Sequence, residues 1–185
     1  MPTGIIAETE RRMKAALADL QTSFGTLRTG RASPALLDKI VIEAYGSFVP
    51  LNQLATVSAP EPRQLLVKPF DKSMAGQIAN VISKSDLGVQ ATKDGDAVRV
   101  SIPALNEERR KEMVKLAGKE AEKHKVSIRN IRREANDGFK KMEKDGAITK
   151  DEVTRYEGDV QKLTDRMIAD VDKMRAAKEV EILEV

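Results

Sequence analysis

The sequence predicts an α+β protein in which an antiparallel three-helix bundle carries an inserted small β/α/β domain. Charged residues make up 33% of the chain and aromatic residues only 3%, a composition typical of long helices with charged surfaces and aliphatic cores. The segment 31–103 is different, because it holds six of the seven prolines and has β-branched runs instead of helical spacing. We therefore expect a bundle formed by residues 1–30 and 104–185, interrupted by the inserted domain at 31–103.

The first helix is predicted by apolar residues that lie alternately four and three positions apart from Met13 to Leu27. It should end near Thr29 and Gly30. The second helix should begin after Pro103 with Asn106 as its N-cap, and it should run for about 38 residues.

The third helix is predicted to begin at a capping box, in which Thr149 and Glu152 satisfy each other's free backbone amides. The tight turn before it, at Asp145 and Gly146, makes the last two helices antiparallel neighbours. The three helical seams together predict the bundle.

The inserted segment should contain short strands and a single short helix. The helix is expected at 74–84, and the strands are expected at 39–43, 48–49, 55–59, 64–67 and 97–102.

Composition excludes several classes of active site. The chain has no cysteine, which rules out disulfides, thiolate metal sites and a cysteine nucleophile. His124 is the only histidine, and we interpret it as a partly buried seam residue and not as a catalyst or metal ligand. We expect no catalytic residue, no metal and no cofactor. The N-terminus lacks a long apolar run, so we expect a cytoplasmic protein with no membrane association.

Charge is distributed unevenly between the last two helices. Residues 106–144 hold thirteen Lys and Arg against eight Asp and Glu, a net charge of +5, whereas residues 149–185 have a net charge of −3. At 100° per residue, several cations of the second helix fall near one line, with Arg132 at its edge. This basic stripe comprises Lys111, Lys115, Lys125, Arg129, Arg133 and Lys140.

Two interpretations of the basic stripe are open at this point. It is either an ordinary solvated helix face or a surface that contacts phosphates through charge-assisted hydrogen bonds and counterion release. With few aromatic residues available to stack on bases, structured RNA recognised by its shape and backbone is the more plausible nucleic-acid ligand.

The junction between the bundle and the inserted domain is the other feature with two interpretations. Gly30 permits backbone angles closed to other residues, and Pro34 and Pro103 both prevent helix continuation. Together with Arg28 and Arg31 they form either a functional hinge or a plain domain boundary.

Several long blocks of the sequence resemble ribosome recycling factors. These blocks are 28–34 (RTGRASP), 70–74 (FDKSM), 85–88 (SDLG), 106–111 (NEERRK) and 126–137 (VSIRNIRREAND). They occur in the order found in that family, and the likeness spans the whole chain.

The resemblance implies an L-shaped protein with a flexible elbow between the bundle and the inserted domain. It implies a monomer that binds ribosomal RNA of the large subunit and, together with elongation factor G and GTP, promotes dissociation of ribosomes after termination so that they re-enter translation. Such a factor is not an enzyme. The resemblance also implies that Arg132 contacts the ribosome, with Arg129 and Arg133 beside it; Lys125 joins this predicted site through the basic stripe.

Two rival functions come from other classes. A helical scaffold or chaperone would use its seams for oligomerisation and would not need a net charge of +5 on one helix. A nucleic-acid-modifying enzyme should show a cluster of acids, a metal set or a nucleotide loop, and the sequence has no such motif.

Overall fold

The computed structural model describes residues 1–27 and 29–184, and it contains five α-helices and six strands. In chain order these are α1 (Pro2–Gly25), β1 (Val41–Ala44), β2 (Ser47–Pro50), α2 (Leu51–Leu54), β3 (Ala55–Glu61), β4 (Gln64–Pro69), α3 (Ala75–Ser83), β5 (Gln90–Asp94), β6 (Ala97–Ser101), α4 (Glu107–Lys144) and α5 (Lys150–Leu183). None of the described helices is both long and apolar enough to cross a membrane.

The described residues form two compact units. One contains Met1–Phe24 and Lys115–Val180, and the other contains Gly25–Val114 together with the residues from Glu181 onward. The fold is therefore the predicted combination of a helical bundle and a small β-containing unit. The domain limits at 30/31 and 103/104 stay a prediction.

Helix α4 runs antiparallel to both α1 and α5, as the side-chain contacts between these helices show. Between α1 and α4, the Arg12 guanidinium donates to Glu134. Asp19 lies about two turns further along α1, and its Oδ2 is 2.9 Å from His124 Nε2, which lies earlier in α4. On α4 and α5, the ring of Phe139 stacks on Tyr156 with a centroid distance of 5.4 Å, whereas Lys125, earlier in α4, pairs with Asp172, later in α5. Residue numbers thus rise along one helix as they fall along its neighbour, which fixes an antiparallel register.

Both predicted helix starts are confirmed by their capping bonds. Asn106 accepts a hydrogen bond through Oδ1 from the Arg109 amide at 2.8 Å, and α4 has the expected 38 residues. The Thr149 amide donates to Glu152 Oε2 at 2.7 Å, and the Glu152 amide donates to Thr149 Oγ1 at 3.3 Å. These bonds satisfy amides that have no partner within the helix.

The second unit is built around one antiparallel sheet of four strands in the order β3-β4-β6-β5. The hairpin β1-β2 forms a separate sheet, with Ile42 paired to Val49 on its buried face and Glu43 paired to Phe48 on its exposed face. Helix α3 packs Ile78 and Ile82 into the same core. The core of this unit is therefore shared by both sheets and α3.

Some expectations for the helices were wrong in detail. Helix α1 ends at Gly25 and not near Thr29, and a side chain at Gly25 would lie 3.2 Å from the Ala35 side chain. Phe139 of α4, which the sequence analysis does not predict as a core residue, is completely buried. Thr164 is also completely buried, and its hydroxyl is satisfied by donating to the Val160 carbonyl at 2.7 Å.

The inserted segment also differs from its prediction at three places. The strand β5 and the single-turn helix α2 were not expected. The first strand begins at Val41 and not at position 39, because Ile40 belongs to the preceding turn, where its amide bonds to Leu37.

We expect Thr149→Ala to lower the free energy of unfolding by about 1 kcal/mol, since it removes the N-cap of α5. Hydrogen bonds from Thr149 hold the pKa of the Glu152 carboxyl below its ordinary value of 4.5. A carboxyl group whose pKa is lower in the folded state than in the unfolded state stabilises the fold. This stabilisation is complete above the unfolded-state pKa and is lost as the pH falls through the folded-state pKa. The variant keeps the bond from the backbone amide, which is the larger cause, and loses the bond from the Thr149 hydroxyl. The difference between wild type and variant should therefore shrink only partly in acid.

Thermal or urea unfolding between pH 3 and pH 7 measures this difference. Thr154→Ala is the matched control, because Thr154 is exposed one turn further along the same helix. It should be neutral or slightly stabilising, since Ala is the better helix former. Equal losses in the two variants would contradict the capping role.

Candidate nucleic-acid interface

Lys125 lies mostly inside the bundle. Its side chain is only 14% exposed, and its Nζ lies 2.5 Å from Asp172 Oδ1 on α5. The expectation that the whole basic stripe faces solvent is thus wrong for Lys125. The sequence does not show on which side of α4 the acidic helix α5 packs, and that packing is what covers this lysine.

Three other members of the basic stripe also have carboxylate partners. Arg129 Nη1 lies 3.2 Å from Glu122 Oε1, and the arginine side chain is 38% exposed. Lys111 pairs with Glu107 at 2.7 Å, and Lys140 lies 4.0 Å from Glu157. Their positive charge is therefore partly neutralised within the chain.

Arg132 has a different environment, because its hydrogen-bond partner is neutral. It is half-buried, and its Nη1 donates to Gln161 Oε1 on α5 at 3.1 Å. Gln161 in turn donates to Asp165 at 2.8 Å, which fixes the orientation of the amide. The Nε of Arg132 is buried and has no partner among the described residues. The guanidinium is thus held in place from one side while it keeps its full charge.

Arg133 is exposed and also has a neutral partner. Its Nη1 donates to Asn130 Oδ1 at 3.3 Å. The next residue, Glu134, would oppose an anionic ligand, but it pairs with Arg12 on α1. The hydrogen bond from Arg12 holds the pKa of the Glu134 carboxyl below its ordinary value. Glu134 is therefore ionised and neutralised on the side that faces α1.

The four predicted contact residues thus divide into two pairs. Lys125 and Arg129 have carboxylate partners, whereas Arg132 and Arg133 have none among the described residues. Two lysines that lay outside the stripe, Lys119 and Lys123, are exposed and have no ion pair in the described part of the chain. The segment 123–133, which has five Lys and Arg residues and no acidic residue, was the signal that could have included Lys123.

His124 lies in the seam between α4 and α1, as expected of a packed histidine. Its side chain is 4% exposed, its Nδ1 lies 2.8 Å from the Glu120 carbonyl oxygen, and its Nε2 lies 2.9 Å from Asp19 Oδ2. Both ring nitrogens therefore have hydrogen-bonding partners that belong to the bundle.

The residues predicted as a hinge belong to the second unit where they are described. Gly30 is buried and has a φ of 81°, so a side chain at this position would be strained. Arg31, Pro34 and Pro103 are exposed. Arg28 lies outside the described residues. Whether these positions act as a hinge stays a prediction.

The comparisons with known proteins identify the class of protein that has this long basic helix and small mixed unit. It is the class of translation factors. The sequence model of the ribosome recycling factor family matches residues 20–183. Ribosome-recycling factors of Carboxydothermus hydrogenoformans and Bacillus subtilis are 52% and 48% identical, and each match covers at least 98% of both chains. The chain therefore belongs to the ribosome recycling factor family.

Solved structures are similar over the whole length. A solution structure of a ribosome recycling factor has a TM-score of 0.76 at 39% identity, covering 100% of this chain and 98% of that one. A second structure has a TM-score of 0.71 at 45% identity and covers 99% of each chain. It describes the T. thermophilus factor and elongation factor G of E. coli bound to the E. coli post-termination complex.

We expect Asp172→Asn to lower the free energy of unfolding by about 1 kcal/mol, because it leaves the largely buried ammonium of Lys125 without its counterion. The loss should be small because the Asp172 side chain is 55% exposed and solvent screens its charge. Glu122→Gln is the control, since it removes an exposed pair on the same helix and should change stability by less than about 0.5 kcal/mol. Urea unfolding measures both, and a larger loss for Glu122→Gln would contradict the assignment of Lys125 to the interior.

Proposed function

We propose that this chain binds ribosomes after termination and, with elongation factor G and GTP, promotes their dissociation so that they can re-enter translation. The observation that carries this proposal is the full-length match to ribosome-recycling factors, joined by similarity to a factor described on the post-termination complex. The site of action is the cytoplasm. The chain acts mechanically, and no residue of it has to make or break a covalent bond.

Within this function, we propose that α4 contacts ribosomal RNA of the large subunit through Arg132 and Arg133, with Arg129 and Lys125 in supporting positions. A guanidinium can donate two parallel hydrogen bonds to a phosphate. Arg132 suits this role because Gln161 holds it without neutralising it. Arg129 would first have to leave Glu122, and Lys125 would act mainly by fixing α5 against α4.

For the junction, we propose that Gly30, Arg31, Pro34 and Pro103, together with Arg28, let the inserted domain move when the GTPase acts. Gly30 supports this proposal, because its φ of 81° is a backbone conformation that glycine adopts freely and most other residues do not. The elbow would transmit motion of the inserted domain to the bundle, which remains anchored to RNA.

We expect Arg132→Gln to weaken ribosome binding by about tenfold to a hundredfold at low salt, because one charge-assisted contact to phosphate is lost. The dependence of the logarithm of affinity on the logarithm of salt concentration should fall by about one. Co-sedimentation with ribosomes over a potassium chloride series measures both quantities.

Arg155→Gln is the matched control, since Arg155 is exposed on α5 and lies over the ring of Tyr156 at 5.8 Å. It should leave the affinity within about twofold of wild type. If the two substitutions weaken binding equally, or if neither does at low salt, the RNA contact lies elsewhere. A wild-type chain that fails to bind ribosomes would remove the proposed function itself.

We expect Glu122→Gln to strengthen ribosome binding by about threefold at low salt, because it releases Arg129 from an exposed pair worth less than about 1 kcal/mol. The gain should disappear as salt screens the added charge. Asp159→Asn makes the same change in net charge at an exposed position of α5 and serves as the control. Equal gains in both variants would mean that net charge, and not Arg129, is responsible.

A further inference from the structure

Arg132 lies on α4 between two ion pairs that join α4 to α5. Before it in the sequence, Lys125 Nζ lies 2.5 Å from Asp172 Oδ1, and after it, Lys140 Nζ lies 4.0 Å from Glu157 Oε1. These two pairs define the register of the antiparallel helices along the stretch that contains Arg132. The same register therefore identifies the residue of α5 that lies opposite Arg132.

The register places the carboxylate of Asp165 opposite the Arg132 guanidinium. Arg132 comes seven residues after Lys125, and Asp165 comes seven residues before Asp172. The other ion pair leads to the same position at a spacing of eight residues on each helix. Opposite charges that face each other across two packed helices commonly form an ion pair. A third ion pair, between Arg132 and Asp165, is therefore expected at this level of the bundle.

In the structure, Arg132 and Asp165 form no ion pair with each other, because the amide of Gln161 bonds to both. Arg132 Nη1 donates to Gln161 Oε1 at 3.1 Å, and Gln161 Nε2 donates to Asp165 Oδ1 at 2.8 Å. The glutamine is thus a neutral link between two charged groups that the register brings together.

This link leaves the Arg132 guanidinium charged and restrained. Its Nε is buried and has no partner among the described residues, so a ligand can reach only the two terminal nitrogens. A phosphate accepts two parallel hydrogen bonds from such a guanidinium. A side chain that is already restrained also loses less conformational entropy when it binds.

We propose that Gln161 is a positioning residue for the contact between Arg132 and an RNA phosphate. It keeps the guanidinium from pairing with Asp165, which would neutralise its charge, and it restrains the guanidinium before the phosphate binds. Asp165 accepts from the NH2 group of the amide, so that the amide oxygen faces Arg132. This inference rests on the proposed function, and within it on the proposed contact of Arg132.

The test measures ribosome affinity of the full-length chain by co-sedimentation over a potassium chloride series. Gln161 is exposed, and Gln161→Met removes the amide but keeps a side chain of similar length and helix propensity. Arg132 can then pair with Asp165, so we expect the affinity to fall about threefold to tenfold at low salt. Added salt should narrow this loss, because it screens the new pair. Urea unfolding should show no loss of stability, since an ion pair replaces the hydrogen bonds.

A second substitution determines whether the loss depends on Asp165. Gln161→Met/Asp165→Asn removes the carboxylate that would capture Arg132, so its affinity should return to within about twofold of wild type. Gln161→Met/Asp159→Asn is the matched control, because it makes the same change in net charge at another exposed position of α5. The control should keep the loss. A residue with a merely structural role would not show this selective recovery.

Gln161→Glu tests whether the residue at this position has to be neutral. It gives Arg132 a carboxylate partner, so we expect the affinity to fall about tenfold at low salt. The dependence of the logarithm of affinity on the logarithm of salt concentration should fall by about one. Ala176→Glu adds the same charge at an exposed position fifteen residues further along α5 and should stay within about twofold of wild type.

Several results would overturn the inference. Unchanged binding by Gln161→Met would mean that Gln161 does not position Arg132, and stronger binding would mean that it holds Arg132 away from the ligand. A loss that Asp165→Asn fails to reverse would rule out competition between Gln161 and Asp165. A loss that persists when Arg132→Gln is also present would show that Gln161 acts elsewhere. Equal losses in Gln161→Glu and Ala176→Glu would make net charge responsible.

Failure of the proposed function has a different signature. A wild-type chain that does not bind ribosomes would remove the proposed function and this inference together. A wild-type chain that binds, with an affinity that Arg132→Gln leaves unchanged, would remove only the Arg132 contact and the role of Gln161 that depends on it.

Discussion

The packing of α5 along α4 is the interaction on which the basic surface depends. A single helix with a net charge of +5 repels itself, and the acidic neighbour offsets part of that repulsion. Lys125 and Lys140 meet carboxylates of α5, whereas Arg132 meets only the amide of Gln161. The same contact between helices therefore stabilises the bundle and decides which cations keep their charge for a ligand.

A glycine of α4 and an arginine of α5 lie side by side where the two helices pack. Gly118 lies where a Cβ would come within 3.1 Å of the Arg175 guanidinium, so the missing side chain makes room for an arginine between the helices. Arg175 is then oriented by Glu179 at 2.8 Å. The close atom is the far end of a flexible side chain that is 42% exposed, so a Cβ at Gly118 would require the guanidinium to shift by a few tenths of an ångström.

The parts of this structure that follow from local rules could be predicted from the sequence, and the parts that depend on packing could not. The starts of α4 and α5 rest on capping bonds within a few residues, and both were correctly placed. The burial of Lys125 depends on the position of α5, and the spacing of residues along α4 gives no information about that position. Strand β5 was not predicted, because its residues are mostly exposed and do not alternate between apolar and polar. It is a strand because its backbone pairs with β6. Family membership, in contrast, was evident from long sequence blocks.

The order of strands in the larger sheet has a consequence for the behaviour of the chain in a crowded cell. Its two edges are β3 and β5, and each contains residues that discourage a foreign strand from adding to the sheet. Pro60 in β3 has no amide hydrogen to donate, and a register irregularity follows Ser58; β5 carries Lys93 and Asp94. Copies that emerge side by side from one polysome therefore meet edges that resist intermolecular β-pairing, the first step of amyloid-like aggregation.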